Sequence, residues 1–411
     1  MKKKRVKIKY KNILIIVVLL IVLCCIPKLF KHEKVDTVKF SDIKSNYVGK
    51  KIGELEEFSN KNKMAITREY EYSREYDKDY VLGITEEENG MKVIVSLGKL
   101  DENLYKEKGV NELGKVPIMM YHGIIDTEDN KYTGGNVDKD GYNRTSKAFR
   151  EDLEFYYNNG YRMIRLSDYV NGIINVELGF SPIILTFDDG NKNNFNVLGR
   201  NDDGSLIIDP ECAVGILEEF KKSHPDMHVT ATFFLMEGLF NQKEYNKEIM
   251  EFLIDNGYDI GNHTTIHPDF TEISITKTKE VVGKMYQKLD SVIPDKYVKI
   301  VALPFGSPYK KTHANYPYIL KGEYDGYEYE TEAALRVGWE PELSPFNKDF
   351  DKTFLKRCRA YDNNGKEFDI ESVFKGLEKT RYISDGDKNS IVIKKEDESK
   401  VNSEYKNIVM Y

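Results

Sequence analysis

The chain is 411 residues long, 40% hydrophobic and 31% charged, with 61 Lys and Arg against 68 Asp and Glu for a formal net charge of −7. That length allows two or three domains, and that much apolar material excludes wholesale disorder, collagen-like repeats and coiled coil. Residues 1–11 hold seven of the basic residues and no acid, so the remaining 400 carry 54 basic against 68 acidic residues, or −14; a body of that sign argues against nucleic-acid partners, because phosphate contacts need a basic surface.

The basic head precedes Ile13–Ile26, fourteen residues whose only polar side chains are Cys24 and Cys25. A membrane span needs about 20 residues; here Tyr10 and Phe30 extend the stretch at the interfaces and Lys28 can snorkel. A cleaved signal peptide is the rival reading. No small-x-small cleavage pattern follows, and Leu23 and Cys24 are not the small residues that precede a lipidated cysteine. Residues 1–31 are therefore expected to be a cytoplasmic head and an uncleaved transmembrane helix, with the rest of the chain outside the cell membrane. In that outer part only Cys212 and Cys358 remain, and one bridge or two buried thiols both fit.

Residues 32–46 read as a short polar linker. Residues 47–99 read as a small α+β module: Lys51–Phe58 has helical spacing, Met64–Tyr72 and Tyr80–Thr85 are extended, and Lys92–Leu97 alternates apolar with polar. With Val-Gly-Lys before the helix and Val-Ile-Val-Ser near its close, this stretch resembles a PASTA domain, which implies a cell-wall-facing module, although it lacks the usual Pro of the opening strand; a plain spacer is the other reading. Over residues 115–393 short apolar runs alternate with amphipathic segments. The runs are Val116–Met120, Arg162–Leu166, Ile183–Phe187, Val229–Leu235, Tyr258–Ile260 and Val298–Leu303; the helix-like pieces are Ser146–Asn158, Ala213–Lys222, Tyr245–Asn256 and Lys277–Val292. That alternation predicts an α/β fold with parallel strands, of a length that suits a (β/α) barrel. Residues 394–411 read as a charged, loosely held tail.

The run Ile183–Phe187 ends in Asp188-Asp189-Gly190, and in parallel β/α folds catalytic groups gather at strand C-terminal ends. Adjacent aspartates repel unless a cation or protons neutralise them; a plain turn is the structural alternative. After Tyr258–Ile260 comes Gly261-Asn-His263-Thr-Thr-Ile-His267, two histidines four apart that can reach one metal if the segment coils into a turn. Val116–Tyr121 ends in His122, again at a strand end.

In order, the chain reads LTFDDG, TATFFL, GNHTTIH and LPFGSP. This series resembles the NodB-homology polysaccharide deacetylases, carbohydrate esterase family four. The resemblance implies a distorted (β/α) barrel and metal-dependent hydrolysis of N-acetyl groups on a glycan. It implies Asp189, His263 and His267 as metal ligands, Asp188 as the base that deprotonates the attacking water, and the Phe305 backbone N–H as an oxyanion donor. Three protein ligands leave a position open for water and substrate, and two histidines with one aspartate suit zinc, with cobalt, nickel or manganese able to substitute.

Two departures from that pattern stand out. The Arg that pairs with the base carboxylate is absent from Val301-Ala302-Leu303, leaving Arg336, Arg357 and Arg359 as candidates, and no His follows His313 to serve as general acid. The opening MMYHGI, followed by FREDLEFYYNNGYRMIRLSDYV, resembles the permuted subgroup acting on poly-N-acetylglucosamine. That resemblance implies His122 as the acid, expected on the side of the substrate away from Asp188. Trp339, the single Trp, is expected to line the acetyl pocket or to pack in the core. Asn201–Gly204 reads as a polar turn, because its spacing fails for calcium, and His224, His228 and His313 as structural or exposed. The expected partner is an N-acetylated glycan polymer, peptidoglycan or exopolysaccharide. An inactive glycan-binding protein and an amidohydrolase of non-sugar amides are the alternatives.

Overall fold

The structure, a computed structural model, describes residues 39–88, 90–126, 142–362 and 368–411. The expected membrane anchor lies outside the described residues, and among the described residues no helix is long and apolar enough to cross a membrane. The chain divides into two compact units, one ending at Lys99 and one running from Leu100 to Tyr411.

The first unit opens with a helix, Phe40–Tyr47, where the sequence had suggested linker. Ile43 is the buried anchor of that helix, packed with Leu55, Val81, Ile84, Met91, Val93 and Val95, and Phe40 and Tyr47 pack half-buried against the same cluster; a helix of eight residues is too short for that spacing to stand out in the sequence. A second helix, Ile52–Asn62, leads into strands Ala65–Ser73, Val81–Glu87 and Gly90–Lys99. The last strand is central, parallel to the first and antiparallel to the second. Its alternation delivers Met91, Val93 and Val95 to the core.

The second unit begins earlier and ends later than the expected 115–393. Asp101 caps a helix, Glu102–Lys108, by accepting from the Leu104 N–H at 2.9 Å, and Tyr105 is buried. At the other end Ile408–Met410 pairs in parallel with Ile391–Ile393, so residues 394–411 are folded onto the unit rather than hanging as a tail. Most of the charge that suggested a tail sits in the 3-10 segment Lys395–Lys400, none of whose residues is buried.

Eight strands build its main sheet: β1 (Ile118–Tyr121), β2 (Tyr161–Met163), β3 (Ser181–Phe187), β4 (Thr232–Leu235), β5 (Asp259–Asn262), β6 (Ile300–Ala302), β7 (Ala333–Leu335) and β8 (Cys358–Arg359). They run parallel in the order β7-β6-β5-β4-β3-β1-β8, with β2 paired to the start of β3. The two ends of this path meet at one segment: Leu355 bridges to Leu335 of β7, while Cys358 and Arg359 pair with Met119 and Met120 of β1. The sheet is thus curled into a distorted parallel barrel, and β1, first in the chain, lies between β3 and the last strand.

Alternation along the strands sorts their side chains. Met119, Tyr121, Leu185, Phe187, Phe233 and Ile260 pack with Phe149, Leu153, Leu217, Leu253 and Leu289. Those partners belong to helices α1 (Ser146–Asn158), α2 (Ala213–Ser223), α3 (Asn246–Asp255) and α4 (Ile275–Val292). The alternate residues Ile118, Ile184, Phe234, Ile300, Ala302, Leu335 and Leu355 form a separate cluster on the other face. Strand β3 is buried at every residue, as a parallel strand covered on both faces must be. One step beyond the strand ends, the same period places His122, Asp188 and His263 on the interior side of the C-terminal mouth.

Candidate active site

Asp188 follows β3 and is 1% exposed. Its Oδ1 accepts from Arg357 Nη1 and its Oδ2 from Arg357 Nη2, both at 2.7 Å, a bidentate ion pair. Arg357 is fully buried and held in place: Nη1 also donates to Thr186 Oγ1 at 3.2 Å and Nε to the Arg336 carbonyl at 3.1 Å. Of the three arginines left open by the sequence, Arg357 makes the pair, reaching in from the strand segment that closes the barrel. Burial opposes ionisation of Asp188, but the Arg357 guanidinium and His263 outweigh it and hold the carboxyl well below the usual range.

Asp189 points elsewhere because the chain turns there: its φ is +75° and that of Gly190 is +62°. A Cβ at Gly190 would stand 2.8 Å from Leu235 Cδ2, so only glycine fits the turn. Asp189 Oδ1 lies 3.4 Å from His263 Nε2 and 3.8 Å from His267 Nε2. The three residues offer ligand atoms that all lie within 4.8 Å of one another. His263 is 1% exposed, and its Nδ1 donates to the Ala302 carbonyl at 2.8 Å. That bond fixes the ring and leaves Nε2, a buried atom without a hydrogen-bond partner, toward Asp189. An orphaned imidazole nitrogen beside a second imidazole and a carboxylate is the donor set of a divalent cation, and these residues fit one. Burial opposes charge on His263, yet Asp188 and Asp189 raise its pKa; a cation at the same point would take the place of that proton.

The turn that brings His267 back carries its own supports. Thr264 and His267 have φ of +65° and +52°. The Asn262 side chain accepts from the Thr264 N–H at 2.7 Å, and Thr264 Oγ1 accepts from the His267 N–H at 3.1 Å. Burial and the neighbouring His263 lower the pKa of His267, which keeps its ring neutral and able to ligate.

His122, 8% exposed, stands with Nε2 3.9 Å from Asp188 Oδ2. The expectation that it would stand apart from Asp188 is therefore corrected: β1 and β3 are adjacent and in register, Tyr121 opposite Phe187, so the next residues of both are neighbours. Burial lowers its pKa despite the two aspartates. The exposed Tyr142 ring packs edge-on against it at 5.3 Å. Phe305 also has a left-handed backbone, φ +56°, and its ring meets His267 edge-on at 4.5 Å. Trp339 is 43% exposed and not a core residue; with Phe305 it lines a cavity of about 310 Å³ beside the site.

The remaining candidates stay away from this centre. Cys212 and Cys358 are both buried and free, and burial pushes the Cys212 thiol up to about 11. Residues 201–204 form the turn between strands Val197–Arg200 and Leu206–Ile208. His224 stacks on Phe220, and His228 pairs with Glu177 at 2.7 Å. One contributor went unread in the sequence: Asn194, fully buried, donates to the His122 carbonyl and accepts from the Asn191 N–H at 2.9 Å. It ties the two aspartates' loop to β1, and a lone Asn in a polar loop carries no sequence signal for that.

Residues 176–318 match the family model described as polysaccharide deacetylase. Over those residues, about a third of its length, the chain is similar to the polysaccharide deacetylases. Similar solved structures include a Bacillus anthracis protein described as a polysaccharide deacetylase, at 20% identity over 60% of this chain and 64% of that one, with a TM-score of 0.43. A Streptococcus pyogenes deacetylase in complex with acetate is 18% identical over 65% of this chain and 99% of that one, with a TM-score of 0.45. A de-N-acetylase from Aggregatibacter actinomycetemcomitans is 11% identical over 64% and 99%, with a TM-score of 0.42.

Proposed function

We propose that the protein is a divalent-metal-dependent N-deacetylase of an N-acetylglucosamine-containing surface polysaccharide, peptidoglycan or exopolysaccharide. One observation carries this reading: Asp189, His263 and His267 converge on one point, beside a carboxylate that Arg357 holds ionised. Held there, a divalent cation such as zinc would act as a Lewis acid, acidifying a water and polarising the acetamide carbonyl. Asp188, held ionised by Arg357, is the carboxylate beside that point that accepts the proton of the attacking water. The Phe305 N–H, presented by its left-handed turn, hydrogen-bonds the oxygen on which charge develops. The amine leaves only when its nitrogen is protonated. His122 Nε2, 3.9 Å from Asp188 Oδ2, hands over the proton that Asp188 accepted, so one proton serves both steps. The protein is held at the cell membrane by residues 1–31, the catalytic unit is outside, and the unit ending at Lys99 faces the wall. Protease added to intact cells should remove that body; an N-terminus mapped beyond Ile26 in the mature protein would contradict the anchor.

The test of the activity is acetate release from N-acetylglucosamine oligomers and peptidoglycan by the purified ectodomain, before and after chelation. Release that chelation abolishes and added zinc restores is the expected result. No release from any glycan, with metal bound, would contradict it.

A further inference from the structure

The cavity beside the site has a charge at odds with the rest of the molecule. Outside its first eleven residues the chain carries a net −14, yet Arg336, Lys356 and Arg359 line this cavity against the single acid Glu340. Lys356 is spoken for by Glu340, Nζ to Oε2 at 3.0 Å. Arg336 has no carboxylate within ion-pair distance among the described residues, and its Nε is buried without a hydrogen-bond partner. Its guanidinium lies 5.3 Å from the Phe354 ring centroid, which props it in place. Arg359 follows the interior positions Leu355 and Arg357 at the same two-residue period, one step further toward the mouth. Its guanidinium lies 5.7 Å from the Trp339 ring and 6.0 Å from the Tyr142 ring.

The aromatic wall is exposed: Phe305 is 52%, Tyr309 60% and Trp339 43% accessible. Exposed rings around a cavity of about 310 Å³ suit a sugar face, and that volume is of the size that accommodates a small ligand. Phe305 ties this wall to the catalytic centre through its contact with His267. A sugar seated here adjoins the residue whose acetamide is cleaved, and the Arg336 guanidinium lines the same cleft.

We propose that this cleft is a subsite for an acidic glycan, taking a carboxylate or phosphate substituent of the sugar next to the one deacetylated. The proposal rests on the deacetylase reading and narrows its substrate class. The guanidinium of Arg336 in this part-buried cleft can bind such an oxyanion bidentately, whereas a neutral hydroxymethyl group gains nothing from it.

The experiment compares three probes with the full ectodomain: a neutral N-acetylglucosamine tetramer, peptidoglycan glycan strands freed of peptide, and a 6-O-phosphorylated tetramer. The expected result is a kcat/KM at least about tenfold higher for one or both acidic probes, shrinking as salt is raised. The probe that gains identifies the substituent. Arg336→Gln should lower that acidic-to-neutral ratio toward one, and Arg336→Lys, which keeps the charge, should restore part of it. Equal or lower kcat/KM for both acidic probes would overturn the subsite while leaving deacetylation standing. If no probe yields acetate, the deacetylase reading falls instead, and calorimetric binding of the same three probes decides the subsite: tighter binding of an acidic probe supports it and equal binding overturns it.

Discussion

Asp188 and Glu112 are both buried carboxyls of the same unit, and their surroundings drive them in opposite directions. Glu112 precedes β1, is 2% exposed, and accepts from the Tyr382 hydroxyl at 2.7 Å and the N–H groups of Val392 and Asp385 at 2.6 and 3.3 Å. Burial and the neighbouring Asp385 nevertheless push its carboxyl well above the usual range. Asp188 is as deeply desolvated, and faces Arg357 and His263. Hydrogen-bond donors alone leave a buried acid protonated; a fixed guanidinium keeps it charged. The mouth of the barrel is thus built to hold a negative charge, and the region before β1 to avoid one.

The sharpest way to break that contrast is to remove the charge at the mouth. Asp188→Asn, nearly isosteric and unable to accept a proton, should retain metal and lose about 10²–10⁴ in kcat. His122→Ala should lose a similar factor with metal retained. Steady-state kinetics with metal analysis checks both, and near-normal kcat in either would move that role elsewhere. Next comes the partner: Arg357→Met leaves Asp188 buried and unpaired, at a cost of about 3–5 kcal/mol of stability. Denaturant unfolding measures it, and the double variant Arg357→Met with Asp188→Asn should recover much of the loss. Absence of recovery would mean that Arg357 acts through packing alone.

The smallest effect belongs to Glu112. Its folded pKa lies above its unfolded value of about 4.5, so the folded state holds this proton more tightly. Above about pH 4.5 the protein therefore loses stability through this group, by at most about 1.4 kcal/mol per pH unit, until the folded pKa is passed. Glu112→Gln removes that loss, so variant and wild type should diverge in melting temperature between pH 5 and 8, with the variant gaining. A difference independent of pH would show Glu112 to be ionised throughout.

How far the sequence reaches is visible on either side of this contrast. The apolar runs announced β1 to β6, and strand ends followed by Asp-Asp-Gly and His-x₃-His announced the cluster, because period and strand-end position are local signals. Strands β7 and β8 went unread; Ala-Ala-Leu lies between Glu332 and Arg336 and Cys-Arg follows Lys356-Arg357, so neither extends into an apolar run. With β8 unread, nothing local could choose Arg357 over Arg336 or Arg359, since the pairing joins positions 169 residues apart. The proximity of His122 to Asp188 was hidden for the same reason: it follows from the register of β1 on β3, which no local pattern states. The tail misled because charge density was read as disorder, while its pairing strand Ile408–Met410 is only three residues long.

The account rests on one cation held by Asp189, His263 and His267, and metal content measured on wild type and His263→Ala tests it most directly. Wild type equilibrated with zinc and passed over a desalting column should retain one ion per chain and release acetate from a glycan. His263→Ala, left with a single histidine and a carboxylate, should be folded by circular dichroism, nearly free of metal and inactive. A folded His263→Ala protein that keeps one tightly bound ion would contradict the site.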